Sequence, residues 1–146
     1  KYSYQFSNLC GTVFKGGNVV FTPDGNSVVS PVGNRVSVFN LVDSTSRTLS
    51  FENHKDIHRM ALSPNGSLLL TIDKDGHAFL VNFHRSVVLH TMHFKEKVRV
   101  ASFSPDGQFF AVGVGNHIKL FRCPALGVAF CPLVLHHKYT GHHDHV

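Results

Sequence analysis

Phe21-Thr22-Pro23-Asp24-Gly25, Leu62-Ser63-Pro64-Asn65-Gly66 and Phe103-Ser104-Pro105-Asp106-Gly107 are three copies of one pattern, and their prolines stand 41 and again 41 residues apart. Proline presets φ for a turn, Asp or Asn tolerates the bridge and left-handed regions, and Gly accepts positive φ. Each pentapeptide is therefore a hairpin turn. A period near 40 residues is that of a four-stranded propeller blade.

Working outward from the turns, apolar stretches precede them at 18–21, 57–62 and 98–103 and follow them at 27–29, 68–72 and 109–112. These are expected to be the first and second strands of successive blades. A second turn follows in each unit, at Gly33-Asn34, Asp75-Gly76 and Gly115-Asn116, and leads to third strands at 36–39, 78–81 and 118–121. Fourth strands are expected at 48–52, 87–92 and 128–135. Turn signals this frequent, with no sustained helical period, give an all-β class.

Composition agrees with one globular domain: 146 residues, 42% hydrophobic, 13 Phe and no Trp. No apolar run approaches the length of a membrane span, and residues 1–10 lack a secretory layout, so no membrane is expected. Three sparse cysteines, Cys10, Cys123 and Cys131, point to free thiols in a reducing compartment. A formal charge of +5 favours an acidic partner or nucleic acid only mildly, because the basic residues are scattered except at Lys95, Lys97 and Arg99.

In WD repeats the third strand ends in Trp-Asp and the loop before the first strand carries Gly-His. Here the endings are Phe39-Asn40, Val81-Asn82 and Phe121-Arg122, which keep the register while the signature has eroded. Asn53-His54 takes the Gly-His place of the second unit, and Gly141-His142 opens a fourth unit near residue 141. Residues 1–146 thus read as an incomplete WD-repeat β-propeller, three four-stranded blades anchored at Pro23, Pro64 and Pro105 plus the start of a fourth. Three blades cannot close a ring, so the chain is expected to be a fragment or truncated product.

The runs Phe6-Ser7-Asn8-Leu9-Cys10-Gly11-Thr12-Val13, Ser30-Pro31-Val32-Gly33-Asn34-Arg35-Val36 and Val88-Leu89-His90 are more specific than the turn pentapeptide. With them the chain resembles the N-terminal part of the periodic tryptophan protein 2 family. The resemblance implies a tandem-propeller protein of the nucleus and nucleolus, a scaffold of the small-subunit processome that serves ribosome biogenesis and rRNA processing. It implies other processome proteins as partners, with contact to pre-rRNA or small nucleolar RNA. The absence of Trp and of later blades departs from that family. The alternatives are a WD-repeat adaptor unrelated to ribosomes, or a fragment without independent function that self-associates through open blade edges.

No catalytic residue, cofactor or metal site is expected. His54 and Asp75 fall where WD repeats place a structural hydrogen-bonding pair, and no nucleophile beside them makes a triad. The histidine-rich end, with Cys123, Cys131, His136, His137, His142, His143 and His145, lacks Cys-x-x-Cys spacing. Gly16-Gly17 and Gly113-Val114-Gly115 lack the spacing of a phosphate loop. Asp73 and Asp75 are expected to be hydrated in one exposed turn. RNA or partner contact, if made, falls to Lys95, Lys97 and Arg99, with Lys15 and Arg35 as outlying contributors.

Overall fold

A computed structural model describes residues 19–123 and the strand Val134–Tyr139. Lys15, Cys10, Cys131 and the fourth unit expected near residue 141 lie outside the described residues, so those expectations are not addressed by it. The described residues form strands and turns with no helix.

The first sheet comprises β1 (Val20–Phe21), β2 (Ser27–Val32), β3 (Arg35–Asn40) and β4 (Thr45–Thr48). The second comprises β5 (Ile57–Leu62), β6 (Leu68–Asp73), β7 (His77–Asn82) and β8 (Val87–His93). The third comprises β9 (Val98–Phe103), β10 (Phe109–Val114), β11 (His117–Arg122) and β12 (Val134–Tyr139). Each is an antiparallel meander in chain order, which is the architecture of three propeller blades.

Packing explains the stack. All six residues of β6 are buried, because successive side chains point to opposite faces and both faces are covered. Leu69, Phe79 and Val81 join Val29, Val38 and Leu49 in a core between the first and second sheets. Leu70, Ile72 and Leu80 join Val98, Phe110 and Val112 in a core between the second and third. The middle blade is therefore apolar on both sides. In the third sheet β9 leaves Val100 44% exposed, and in the first β4 is exposed at all four positions.

One hydrogen-bond network recurs in the three first turns. Thr22 Oγ1 donates to Asp24 Oδ1 at 2.7 Å and accepts from Ser27 N at 3.1 Å, while Asp24 Oδ1 also accepts from Asn26 N at 2.9 Å. Ser63 and Asn65 repeat it, with Ser63 Oγ donating to Asn65 Oδ1 at 2.7 Å and accepting from Leu68 N at 3.0 Å. Ser104 and Asp106 repeat it again, with Phe109 N on Ser104 Oγ at 3.1 Å. The glycines close the turns at φ of +74°, +77° and +74° for Gly25, Gly66 and Gly107. Successive turns also touch: the Pro23 ring lies 3.2 Å from where a Cβ on Gly66 would begin, and Pro64 lies 3.8 Å from the same point on Gly107.

Two fourth strands differ from expectation. In the first blade the strand is Thr45–Thr48, not 48–52. Leu49 and Phe51 alternate as a strand would, but they belong to the crossover to the second sheet and are buried in the core between the two. In the third blade the described strand is Val134–Tyr139, which extends past the expected end at 135, while 128–133 lie outside the described residues.

Candidate interaction surface

Register slips by one residue in two first strands, and the extra residue carries a basic side chain in each, buried at His58 and exposed at Arg99. Ile57 pairs with Asp73 and Arg59 with Ile72, which leaves His58 as the extra residue of a bulge. Val98 pairs with Val114 and Val100 with Gly113, which leaves Arg99 in the same role 41 residues later. A bulge bends its strand and re-aims the side chain it carries. Both strands are edges of their sheets, and β5 lies against β9.

Arg59 holds the two bulges together. Its Nε donates to the Arg99 carbonyl at 2.9 Å and its Nη1 to the His58 carbonyl at 3.0 Å. His58 is held below the usual histidine range, first by burial and then by the positive charges of Arg59, Lys97 and Arg99. His58, Arg59, Lys97 and Arg99 thus form one basic strip along the seam between the second and third blades, with Lys97 and Arg99 exposed.

The expected basic residues divide accordingly. Lys97 and Arg99 belong to the strip, and Lys95 is exposed in the connection just before them. Arg35 stands apart on the first sheet, where its Nη2 pairs with Glu52 Oε2 at 3.2 Å. Both partners are about half exposed, so the pair adds little stability, but it occupies the Arg35 charge.

The expected pairing of His54 with Asp75 is corrected. Both side chains are exposed, and His54 instead meets His77 and Phe79, with ring centroids 4.8 and 5.9 Å away. The hydrogen bonds fall to their buried neighbours. Asp73, 1% exposed rather than hydrated, accepts from Asp75 N and His77 N at 2.9 Å and from Lys55 N at 3.2 Å. Asn53 accepts from Thr71 Oγ1 at 3.1 Å, and its carbonyl accepts from Asn34 Nδ2 at 3.0 Å. Geometry makes the choice: Asp73 ends a six-residue buried strand and faces inward, whereas Asp75 lies beyond it in the turn.

His77 also stacks on His93, with centroids 4.1 Å apart and planes 8° from parallel. Rings stacked face to face do not aim their nitrogens at a common point, and among the described residues no three His, Cys, Asp or Glu side chains gather to hold a metal. Cys123 is half-buried, and burial, then the Asp106 charge, push its thiol up to about 11.

The sequence alone does not single out His58 and Arg59, places Asn53 only as part of the Gly-His position, and leads one to expect Asp73 hydrated rather than buried. The 41-residue spacing of His58 and Arg99 was the available signal for the strip, since equivalent positions of a repeat share equivalent geometry.

The sequence and fold resemble those of known proteins. The model of the WD domain, G-beta repeat, matches residues 45–82 and 86–122, together about half of the chain. The chain is 53% identical over its full length to the periodic tryptophan protein 2 homolog of Schizosaccharomyces pombe and 44% identical over 97% of its length to periodic tryptophan protein 2 of Saccharomyces cerevisiae. It spans only 17% and 16% of those two proteins. The U3 small nucleolar RNA-associated protein 15 homolog of Xenopus tropicalis is 26% identical over 69% of the chain, which spans 20% of it. Among solved structures, that of U3-55K superposes with a TM-score of 0.71 at 16% identity, over 89% of this chain and 40% of that one, a likeness of fold.

Proposed function

This chain belongs to the WD-repeat family, and on that footing we propose that it is a noncatalytic binding segment of a ribosome-assembly scaffold. The observation that carries the reading is the match of nearly the whole chain, at 44–53% identity, to part of periodic tryptophan protein 2 in several species. The U3 small nucleolar RNA-associated relative points the same way. The proposal extends to a nucleolar location, to processome proteins as partners and to early processing of pre-ribosomal RNA.

Within that assembly the basic strip is the place proposed for contact with pre-rRNA or small nucleolar RNA. Lys97 and Arg99 would neutralise phosphates without reading bases, and binding would weaken with salt. Most Phe side chains on the blade faces are buried, so stacking on bases is not part of the reading.

The test is a tagged pull-down of the full chain from cell extract, with recovered proteins and RNAs identified. Recovery of pre-ribosomal particles, reduced by Lys97→Glu with Arg99→Glu, supports both parts. Recovery unchanged by that pair removes RNA contact at the strip, and no recovery removes the assembly role of this segment. Exposed apolar residues at the start of the first blade, Phe21 in β1 at 60% and Val19 just before it at 46%, favour self-association as a second reading. Sedimentation across a concentration series decides it.

A further inference from the structure

One row of cross-strand partners crosses the first sheet from its first strand to its last: Val20 opposite Val29, Val29 opposite Val38, and Val38 opposite Arg47. Directly paired residues share a face, and the three valines of this row pack toward the second sheet. The fourth member is an arginine. At that outer end the first and second sheets enclose an open cleft of about 460 Å³, within the size range of ligand sites.

The lining of this cleft is mixed. Val38 and Phe83 are buried and supply apolar surface. The Arg47 guanidinium stands 5.8 Å over the Phe83 ring, and among the described residues it has no ion pair. Thr45, Ser46 and Arg47 all line the cleft, and consecutive strand residues point to opposite faces, so the cleft wraps β4 itself. Among the described residues β4 pairs with β3 alone, which leaves its other edge of N–H and C=O groups unpaired. All four of its side chains are exposed, and none is apolar.

We propose that this cleft docks an extended segment of a partner protein in which an acidic and an apolar side chain stand two residues apart, on one face of the segment. The segment pairs with the outer edge of β4, the apolar side chain rests on Val38 and Phe83, and the carboxylate meets Arg47. Main-chain pairing gives such a contact affinity, and the alternating side chains give it selectivity.

The occupant follows from charge and shape. Arg47 asks for an anion, and the free strand edge asks for a peptide backbone. Asp24 also lines the cleft, and its carboxylate stays charged because the Asn26 N–H and the Thr22 hydroxyl hold it below its usual range. A fixed negative charge beside the arginine selects one carboxylate rather than a run of phosphates. That disfavours nucleic acid here, in contrast to the strip at the seam of the second and third blades, where Arg59, Lys97 and Arg99 gather positive charge. Docking at this cleft follows from the geometry of the first blade alone, whether or not the assembly is ribosomal.

The experiment selects random linear peptides on the immobilised full chain, with counter-selection on Arg47→Glu. Arg47 is exposed at the end of its row, and an unchanged thermal midpoint establishes that the variant folds. The expected result is enrichment of peptides that carry an acidic and an apolar residue two positions apart. Labelled copies should bind saturably, lose about tenfold or more in affinity to Arg47→Glu, and be unaffected by Arg99→Glu. Absence of enrichment overturns the proposal, as does enrichment that the Arg47→Glu chain supports equally. An oligouridylate that binds with the same dependence on Arg47 also overturns it, in favour of RNA.

Discussion

The guanidinium of Arg59, on the first strand of the second blade, donates to the carbonyl oxygen of Arg99, on the first strand of the third, at 2.9 Å. With its second bond to the His58 carbonyl it spans two bulges and couples two sheets that share no backbone ladder. Lysine cannot reproduce that fork. Arg59→Lys should cost about 1–2 kcal/mol by loss of charge-assisted hydrogen bonds, measured by urea denaturation. A cost as small as that of an ordinary surface substitution would show that the bulges hold without it.

Asp73 accepts three backbone N–H groups from a buried position. Asp73→Ala strands these donors and should destabilise by about 3 kcal/mol. Asp75→Ala and His54→Ala, both at exposed side chains, should each stay within about 0.5 kcal/mol. Equal effects at 73 and 75 would restore the pairing that the sequence suggested.

His58 titrates below its unfolded value of 6.5. Above that value both states are neutral and the stability is unaffected by this group. As pH falls below 6.5 the unfolded chain takes up the proton first, so stability is lost until the folded pKa is passed. Denaturation midpoints should therefore drop on the acid side of neutrality, and His58→Gln should reduce that slope. Two-dimensional NMR of the imidazole checks the direction directly. An anion bound on the strip should raise the His58 pKa.

Gly76 has φ of +92°, and a Cβ there would run into the Phe94 carbonyl oxygen and come 3.0 Å from that of Glu96. Its own carbonyl accepts the Phe94 N–H at 2.8 Å, so the two segments cannot separate cheaply. Gly76→Ala should cost about 3 kcal/mol or more, from backbone strain and collision together. Gly25→Ala, with nothing within 4 Å, should cost only the conformational part, about 1–2 kcal/mol. Thermal melts of the two variants side by side test the difference.

Much of the fold was legible because the turn chemistry is local: Pro64, Asn65 and Gly66 mark their hairpin whatever lies around them. The strands of the second blade were equally plain, since Leu68 to Ile72 is apolar on both faces. Thr45–Thr48 was not legible, because its polar, fully exposed residues are held by backbone pairing to β3 and leave no hydrophobic signature. The basic strip was half legible. Lys97 and Arg99 stand together in sequence, but His58 and Arg59 join them only because β5 and β9 lie side by side. Asp73 was expected to be hydrated like Asp75, because burial, not residue type, separates the two.

The contact of Pro23 with Gly66 and of Pro64 with Gly107 has a direction. Each turn offers a knob to the turn one period later and a socket to the one before, so two copies never meet as equals. Joints of that polarity propagate like links in a chain and end only by closing on themselves. They also forgive the point of duplication: any cut that copies one whole 41-residue period reproduces a matched knob and socket, wherever in the blade it starts. Growth by duplication then has no privileged boundary, and an added blade inherits its fit from the period alone.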